Sequence, residues 1–202
     1  MTILELYSDI NKHLLEDEKP SLYLNDVYNN TLFREYPFGM LFALKKTEQS
    51  PIHHPEGNVW NHTLLVVDKA ANVKIKSKNQ AALMWAAFLH DIGKPSTTKK
   101  RKGRITAYDH DRVGAELSAE FLKTFLTDEK FINEVYQLIR YHMQVLFVVK
   151  DLPFADIKGL KLNTDIKELA LLGLCNRLGR QGSDTTKEEK NIELFLQKCI
   201  VS

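Results

Sequence analysis

The chain is short of the features that mark several large protein classes. It has two cysteines, Cys175 and Cys199, twenty-four positions apart. Two distant thiols build neither a disulfide scaffold nor a thiolate zinc site, and they suit a reducing compartment. Nine glycines and six prolines in 202 residues are too few for a low-complexity or collagen-like chain. No apolar run nears the roughly 20 residues a membrane span requires; the longest, Ala81 to Leu89, stops at a His-Asp pair. The N-terminus has no basic segment leading into an apolar stretch, so no secretory signal is read and a cytoplasmic location is expected. The net charge of +2 gives no global field for nucleic acid or an anionic membrane, although local patches can still act. What is present, 44% hydrophobic and 27% charged residues, is ordinary for a folded domain and excludes wholesale disorder.

Apolar residues recur at spacings of three and four, which predicts an all-α fold. Helices are expected near 2–16, 22–46 (interrupted at Pro37 and Gly39), 58–71, 78–91 with Ser77 as its cap, 109 or 110 to 125, 129–142, 165–179 and 185–200. Asp165 with Glu168, and Thr185 with Glu188, have capping-box spacing. Residues 53–57 read as a loop, and Pro95 to Ala107, with five Lys or Arg, as another. Val145 to Val149 fits a short strand or a turn equally. Residues 1–48 are expected to form a small helical extension and 49–202 the main domain.

Polar residues fall on the apolar faces of five of these helices. His62 shares a face with Leu65 and Val66, His90 follows Leu83, Ala86 and Ala87, and His110 precedes Val113 and Leu117. His142 follows Val135 and Leu138, Asn176 follows Leu169 and Leu172, and Asp91 adjoins His90. Burying one unpartnered polar group costs about 1–3 kcal/mol, so five helices aiming such groups inward implies that the groups meet. Imidazoles with a carboxylate suit a divalent transition metal. Any one of these histidines also suits a hydrogen-bonded core position, and the spacings of 28, 20 and 32 residues decide nothing.

Two segments add a resemblance. Leu89-His90-Asp91-Ile92-Gly93-Lys94-Pro95 resembles the signature of the HD-domain metal-dependent phosphohydrolase superfamily. The stretch from His54 through Asn58-Val59-Trp60-Asn61-His62 to Leu65 is similar to the first-histidine segment of one branch, the HD domains attached to bacterial CCA-adding tRNA nucleotidyltransferases. Gly103-Arg104-Ile105 and Tyr108-Asp109-His110-Asp111-Arg112-Val113-Gly114-Ala115 resemble that branch as well. The resemblance covers roughly 50–180. No nucleotidyl-transfer motif precedes it, so it implies a free-standing HD-domain helical bundle rather than CCA addition.

The resemblance implies His62, His90 and Asp91 as metal ligands, with His110 and His142 at the positions that hold a second ion in two-metal members. The family's last aspartate falls at Asn176, in Leu174-Cys175-Asn176-Arg177-Leu178-Gly179-Arg180, and a neutral amide is the weaker ligand. Asp184, eight positions on, is a distant substitute. The implied cofactor is one or two ions of Mn, Fe, Ni, Co or Zn. The implied substrate is a phosphomonoester or cyclic phosphodiester of a nucleotide or RNA end. The alternative is a weakened HD domain that binds a nucleotide or RNA without turning it over.

Asp91 and Lys94 are the expected catalytic residues, and Lys94, Arg104 and Arg112 the expected substrate-binding cations. Lys94 fits a phosphate anchor and a solvated helix-end charge equally well. Gly93 is expected to supply a left-handed turn after its helix. His53, His54 and Glu56 suit either a site rim or a structural loop; Trp60 and Trp85 suit the core, and Cys175 a packed thiol. The run Lys99-Lys100-Arg101-Lys102-Gly103-Arg104 suits either steering of an anion or plain solvation. Neutralising Lys100, Arg101 and Lys102 together is expected to raise KM for a polyanionic substrate more than it lowers kcat, an effect that shrinks with salt; steady-state kinetics at two ionic strengths checks it.

Overall fold

The computed structural model describes residues 1–201, so Ser202, the last residue of the expected 49–202 unit, lies outside the described residues. The structure is mostly α-helical. In chain order the helices are α1 (Ile3–Glu16), α2 (Pro20–Val27), α3 (Gly39–Phe42), α4 (Val59–Val73), α5 (Gln80–Leu89) and α6 (Lys94–Thr97). A hairpin, β1 (Thr98–Arg101) and β2 (Arg104–Ala107), leads into α7 (His110–Lys123), α8 (Glu129–Tyr141), α9 (Gln144–Val149), α10 (Ile157–Asn163), α11 (Ile166–Leu178) and α12 (Thr185–Val201). Short 3-10 turns fill the broken stretch between α2 and α4 that Pro37 and Gly39 announced. No helix among the described residues is long and apolar enough to cross a membrane.

The bundle is organised around α5. All its residues from Ala82 to Leu89 are buried, as expected of a helix that is hydrophobic on every side. It packs against α1, α4, α8 and α11. Asn79, not Ser77, caps it: the Asn79 side chain accepts from Ala82 N at 3.2 Å. The N-terminal helices share this core. Leu6, Ile10 and Leu14 of α1 are fully buried, Tyr7 stacks on Trp85 with ring centroids 4.9 Å apart, and the Trp85 indole N–H donates to Asn11 at 2.9 Å. Trp60 and Trp85 are both core residues.

Four local expectations need correction. The polar stretch 95–107 is not a plain loop: after α6 it forms an antiparallel hairpin with Thr98 opposite Ala107 and Arg101 opposite Arg104. Its exposed Lys and Arg side chains hid the strand alternation. Val145 to Val149 is neither strand nor turn but part of α9, where Val145 and Val148 are buried one turn apart. Neither capping-box pair forms a full box. Asp165 caps α11, but Glu168 turns away to Ser77 and Lys78 N, and Glu188 pairs bidentately with Arg177 while Asp184 caps α12. Gly93 has φ −79° and ψ −14°, ordinary right-handed backbone.

Gly93 is required for a different reason. A Cβ there would lie 2.3 Å from His110 O and 2.6 Å from Gly114 N. The turn after α5 is therefore pressed against the first turn of α7 with no space for a side chain. Gly179, after α11, does the same against α4, where a Cβ would lie 2.5 Å from Val66 Cγ2. These two close approaches bring α7 to the end of α5 and α11 to α4. Because the atoms facing Gly93 are backbone and cannot rotate aside, Gly93→Ala is expected to cost at least about 1–3 kcal/mol, read as a lower midpoint in urea unfolding.

Candidate metal centre

The helices deliver the polar set to one place. Three histidines are oriented by their own backbone. His90 Nδ1 donates to Ala87 O at 2.9 Å, His110 Nδ1 to Ala107 O at 2.6 Å, and His142 Nδ1 to Ile139 O at 2.7 Å. A carbonyl can only accept, so each ring carries its proton on Nδ1 and turns the lone pair of Nε2 inward. His62 is held from outside its helix: its Nδ1 lies 2.8 Å from Glu56 Oε1, in the loop before α4. The same carboxylate oxygen lies 2.8 Å from His54 Nδ1, and Glu56 Oε2 accepts from Gln181 N at 3.3 Å. A carboxylate behind a histidine in this way fixes the ring's orientation and raises its basicity as a ligand.

Asp91 sits between the inward-facing nitrogens. Its Oδ2 is 3.2 Å from His90 Nε2 and 4.0 Å from His62 Nε2; its Oδ1 is 3.5 Å from His110 Nε2. His62 Nε2 lies 3.1 Å from Asn176 Oδ1, and His110 Nε2 lies 3.3 Å from His142 Nε2. Lys94 Nζ approaches Asp91 Oδ2 at 2.7 Å and donates to Gln49 Oε1 at 2.5 Å.

These atoms fit a metal ion. His90 Nε2 and Asp91 Oδ2 are buried, and neither makes an aligned hydrogen bond. The nitrogens of His110 and His142 face each other as two acceptors, an arrangement that repels unless something positive lies between them. Two ligands each about 2.1 Å from one ion are at most about 4.2 Å apart, and every ligand pair given above falls within that limit. His62, His90, Asp91 and Asn176 would hold one ion through Asp91 Oδ2; Asp91 Oδ1, His110 and His142 would hold another.

The electrostatics keep the donors available. Burial lowers the pKa of His62, of His110 and, well below its ordinary value, of His142, so these rings stay neutral. Burial would raise the Asp91 carboxyl, but His90, Lys94 and His110 outweigh it and hold it well below the usual carboxylate range. Glu56 behaves alike: burial pushes it up, while bonds from His62, its own backbone and His54 bring it to about 2. His54 is lowered to about 3, first by burial and then by repulsion from Lys94.

This centre forms part of the wall of a cavity of about 1060 Å³, to which Asp91, Lys94, His110, His142 and Asn176 contribute. Residues 59–172 match the HD domain family. The chain belongs to that family. It is 44% identical over 62 residues to a multifunctional CCA protein of Actinobacillus pleuropneumoniae, a match covering 31% of this chain and 14% of that one. It is 27% identical over 199 residues to a multifunctional CCA protein of Pseudomonas syringae, covering 98% and 42%. An A-adding tRNA nucleotidyltransferase of Deinococcus radiodurans is 38% identical over 63 residues, covering 30% and 14%. The chain spans less than half the length of these curated relatives. The HD family is one of metal-dependent phosphohydrolases, and the His/Asp cluster lies where this HD domain could hold a metal.

The other candidate residues of the HD domain are placed variously. Arg112 lines the cavity, whereas Arg104 stands exposed on β2, off the cavity wall. Lys94 is buried on Asp91 rather than solvated. Asp184 is engaged as a cap, accepting from Lys187 N at 3.1 Å. Cys175 is packed, its thiol pushed up to about 12 by burial. Sequence reasoning missed Arg180. It lines the cavity, and its Nε is buried without a hydrogen-bond partner among the described residues. Its place at the end of the Leu174 to Arg180 stretch that carries Asn176 was the available signal. Gln49 gave no signal at all.

Asn176 tests the ion between α4 and α5 directly. Asn176→Asp is nearly isosteric and adds a full charge 3.1 Å from His62 Nε2. It is expected to tighten Mn²⁺ binding by at least about tenfold, a lower bound taken from the effect of outer-shell changes alone. Metal titration of both proteins checks it; equal affinity would remove Asn176 from the ligand set.

Proposed function

We propose that this HD domain is a metal-dependent phosphohydrolase acting on a phosphomonoester or a cyclic phosphodiester of a nucleotide or RNA end. The observation that carries the reading is the position of Asp91, whose two oxygens face two separate histidine groups beside a cavity that Arg112 and Arg180 also line. When bound, Mn, Fe, Co, Ni or Zn supplies a Lewis acid and lowers the pKa of water. The protein's part is positional. Burial keeps His110 and His142 neutral, and their Nδ1 protons are held on backbone carbonyls, so their Nε2 atoms face inward as acceptors; His62 and His90 present Nε2 beside Asp91. Lys94 offsets the Asp91 charge and offers an ammonium toward the cavity. Arg180 brings a guanidinium that matches two oxygens of a phosphate, and Arg112 a second cation.

A second reading, a nucleotide- or RNA-binding module without turnover, is favoured by one observation, the neutral Asn176 at the ligand position. Metal content of the purified protein, followed by phosphate release from a nucleotide panel with Mn²⁺ or Ni²⁺, separates the two. Asp91→Ala is expected to lose both bound metal and phosphate release while helical content by circular dichroism is kept. Arg180→Ala is expected to keep the metal and raise KM by about 10- to 100-fold, the worth of one hydrogen bond to a charged group. Phosphate release that survives Asp91→Ala with metal still bound would place the chemistry elsewhere. Metal bound with no phosphate released from any nucleotide would favour the binding module.

A further inference from the structure

The cavity that contains the polar centre also has an apolar section. Met143, Leu146, Phe147, Leu152 and Phe154 line it. Phe154 is 67% exposed, a poor use of a large ring unless something covers it. It is also anchored. Gln144 is buried, donates through Nε2 to Phe154 O at 3.2 Å, and accepts from Asp156 N at 2.8 Å. Leu152 N donates to Phe147 O at 2.9 Å, and Asp151, at φ 51°, pairs with Lys198 at 2.6 Å. The loop after α9 is thus tied at three points. It holds Phe154 at 60° to Phe147 with ring centroids 5.8 Å apart. Tyr108, just before α7, is 76% exposed and lines the same cavity.

We propose that Phe147 and Phe154 form a receptor for the planar base of a nucleoside phosphate whose phosphate lies at Lys94 and Arg180. The proposal rests on the reading of the polar centre as a phosphate site. A phosphate alone or an aliphatic phosphoester would leave the rings uncovered, and the cavity is at the upper end of small-ligand volumes. A nucleoside phosphate has the two chemistries the wall offers: an anion for the cations, and a π face for rings held in place before binding. Aromatic platforms accept bases by stacking with little regard to sequence. The base belongs either to a free nucleotide or to the terminus of a strand; the rings are the same for both.

The test compares nucleoside monophosphates with a sugar phosphate that lacks the base. Affinities of the 2′-, 3′- and 5′-monophosphates of adenosine, and of ribose 5-phosphate, are measured by calorimetry with Mn²⁺ present. At least one nucleotide is expected to bind about 5-fold or more tighter than ribose 5-phosphate. Phe154→Ala and Phe147→Ala are expected to remove that difference and leave ribose 5-phosphate unchanged, and Phe154→Trp to restore it. Phe154 is exposed, so its replacement leaves the core intact. No preference over ribose 5-phosphate in the wild type, or an equal loss for both ligands in the variants, would overturn the proposal. Phosphate release measured in parallel keeps the two readings apart. A base preference without release supports the receptor and sinks the enzyme; equal release from both ligands with no base preference does the reverse. A short RNA ending in the same phosphate distinguishes the sources. Salt-sensitive binding tighter than the mononucleotide's, dependent as well on Phe154, marks a strand end; equal binding marks a free nucleotide.

Discussion

Asp91 is a carboxylate 1% exposed, at the end of the most buried helix of the bundle, and the rest of the centre is arranged around it. A buried charge is tolerated only when it is paired. Here Lys94 supplies the pairing, and the rest of the surrounding shell is imidazole nitrogens. Those nitrogens are themselves acceptors in the tautomer their backbone bonds dictate. Lys94 alone therefore leaves more acceptors than donors. The surplus is what makes a cation the natural completion of the site, and it arises from three separate Nδ1 tethers, each made to a backbone carbonyl three residues earlier in the chain.

Bringing those tethers together is a packing problem, and two glycines settle it. Gly93 lets the His90-Asp91 turn press against α7, and Gly179 lets the end of α11 press against α4. Each approach joins one part of the shell to another: Asp91 to His110, and His62 to Asn176. A methyl group at Gly93 would meet backbone atoms that cannot rotate aside, and one at Gly179 would crowd Val66, so either would strain the approach. The same glycines that serve the fold therefore set the distances that the chemistry needs.

Much of this was legible in the sequence. Helix positions followed from spacing; five of the six polar residues were picked out because each shares a face with apolar neighbours, and Asp91 because it adjoins His90. The HD-like motif then ordered them. The hairpin was not legible, because both faces of β1 carry Lys, Arg or Thr and the alternation in β2 lasts only four residues. The helix at Val145 was hidden because β-branched residues favour strands until tertiary burial overrules them. Glu56, Gln49 and Arg180 were unread or ambiguous for another reason. Glu56 reaches Gln181 across 125 positions and Gln49 reaches Lys94 across 45, and no local pattern encodes such contacts.

Asn176 gives the centre its character. Of the six inward residues only Asp91 carries a negative charge, and Lys94 offsets it. Without metal the centre is therefore close to neutral, although every inward atom except the Lys94 ammonium is a donor of electron pairs. A hard ion such as Mg²⁺ gains mostly from anionic oxygen and surrenders its waters reluctantly, so it gains little here. An ion that forms strong bonds to imidazole gains from the two rings of its own group, His62 with His90 or His110 with His142, regardless of net charge. The substitution of an amide for a carboxylate thus shifts metal preference along with affinity. It also leaves more positive potential in the cavity once an ion binds, because less anionic charge compensates it. That potential, with Arg180, Arg112 and Lys150 on the same wall, favours a ligand that brings its own negative charge, and phosphate is the anion whose oxygens those guanidinium groups match.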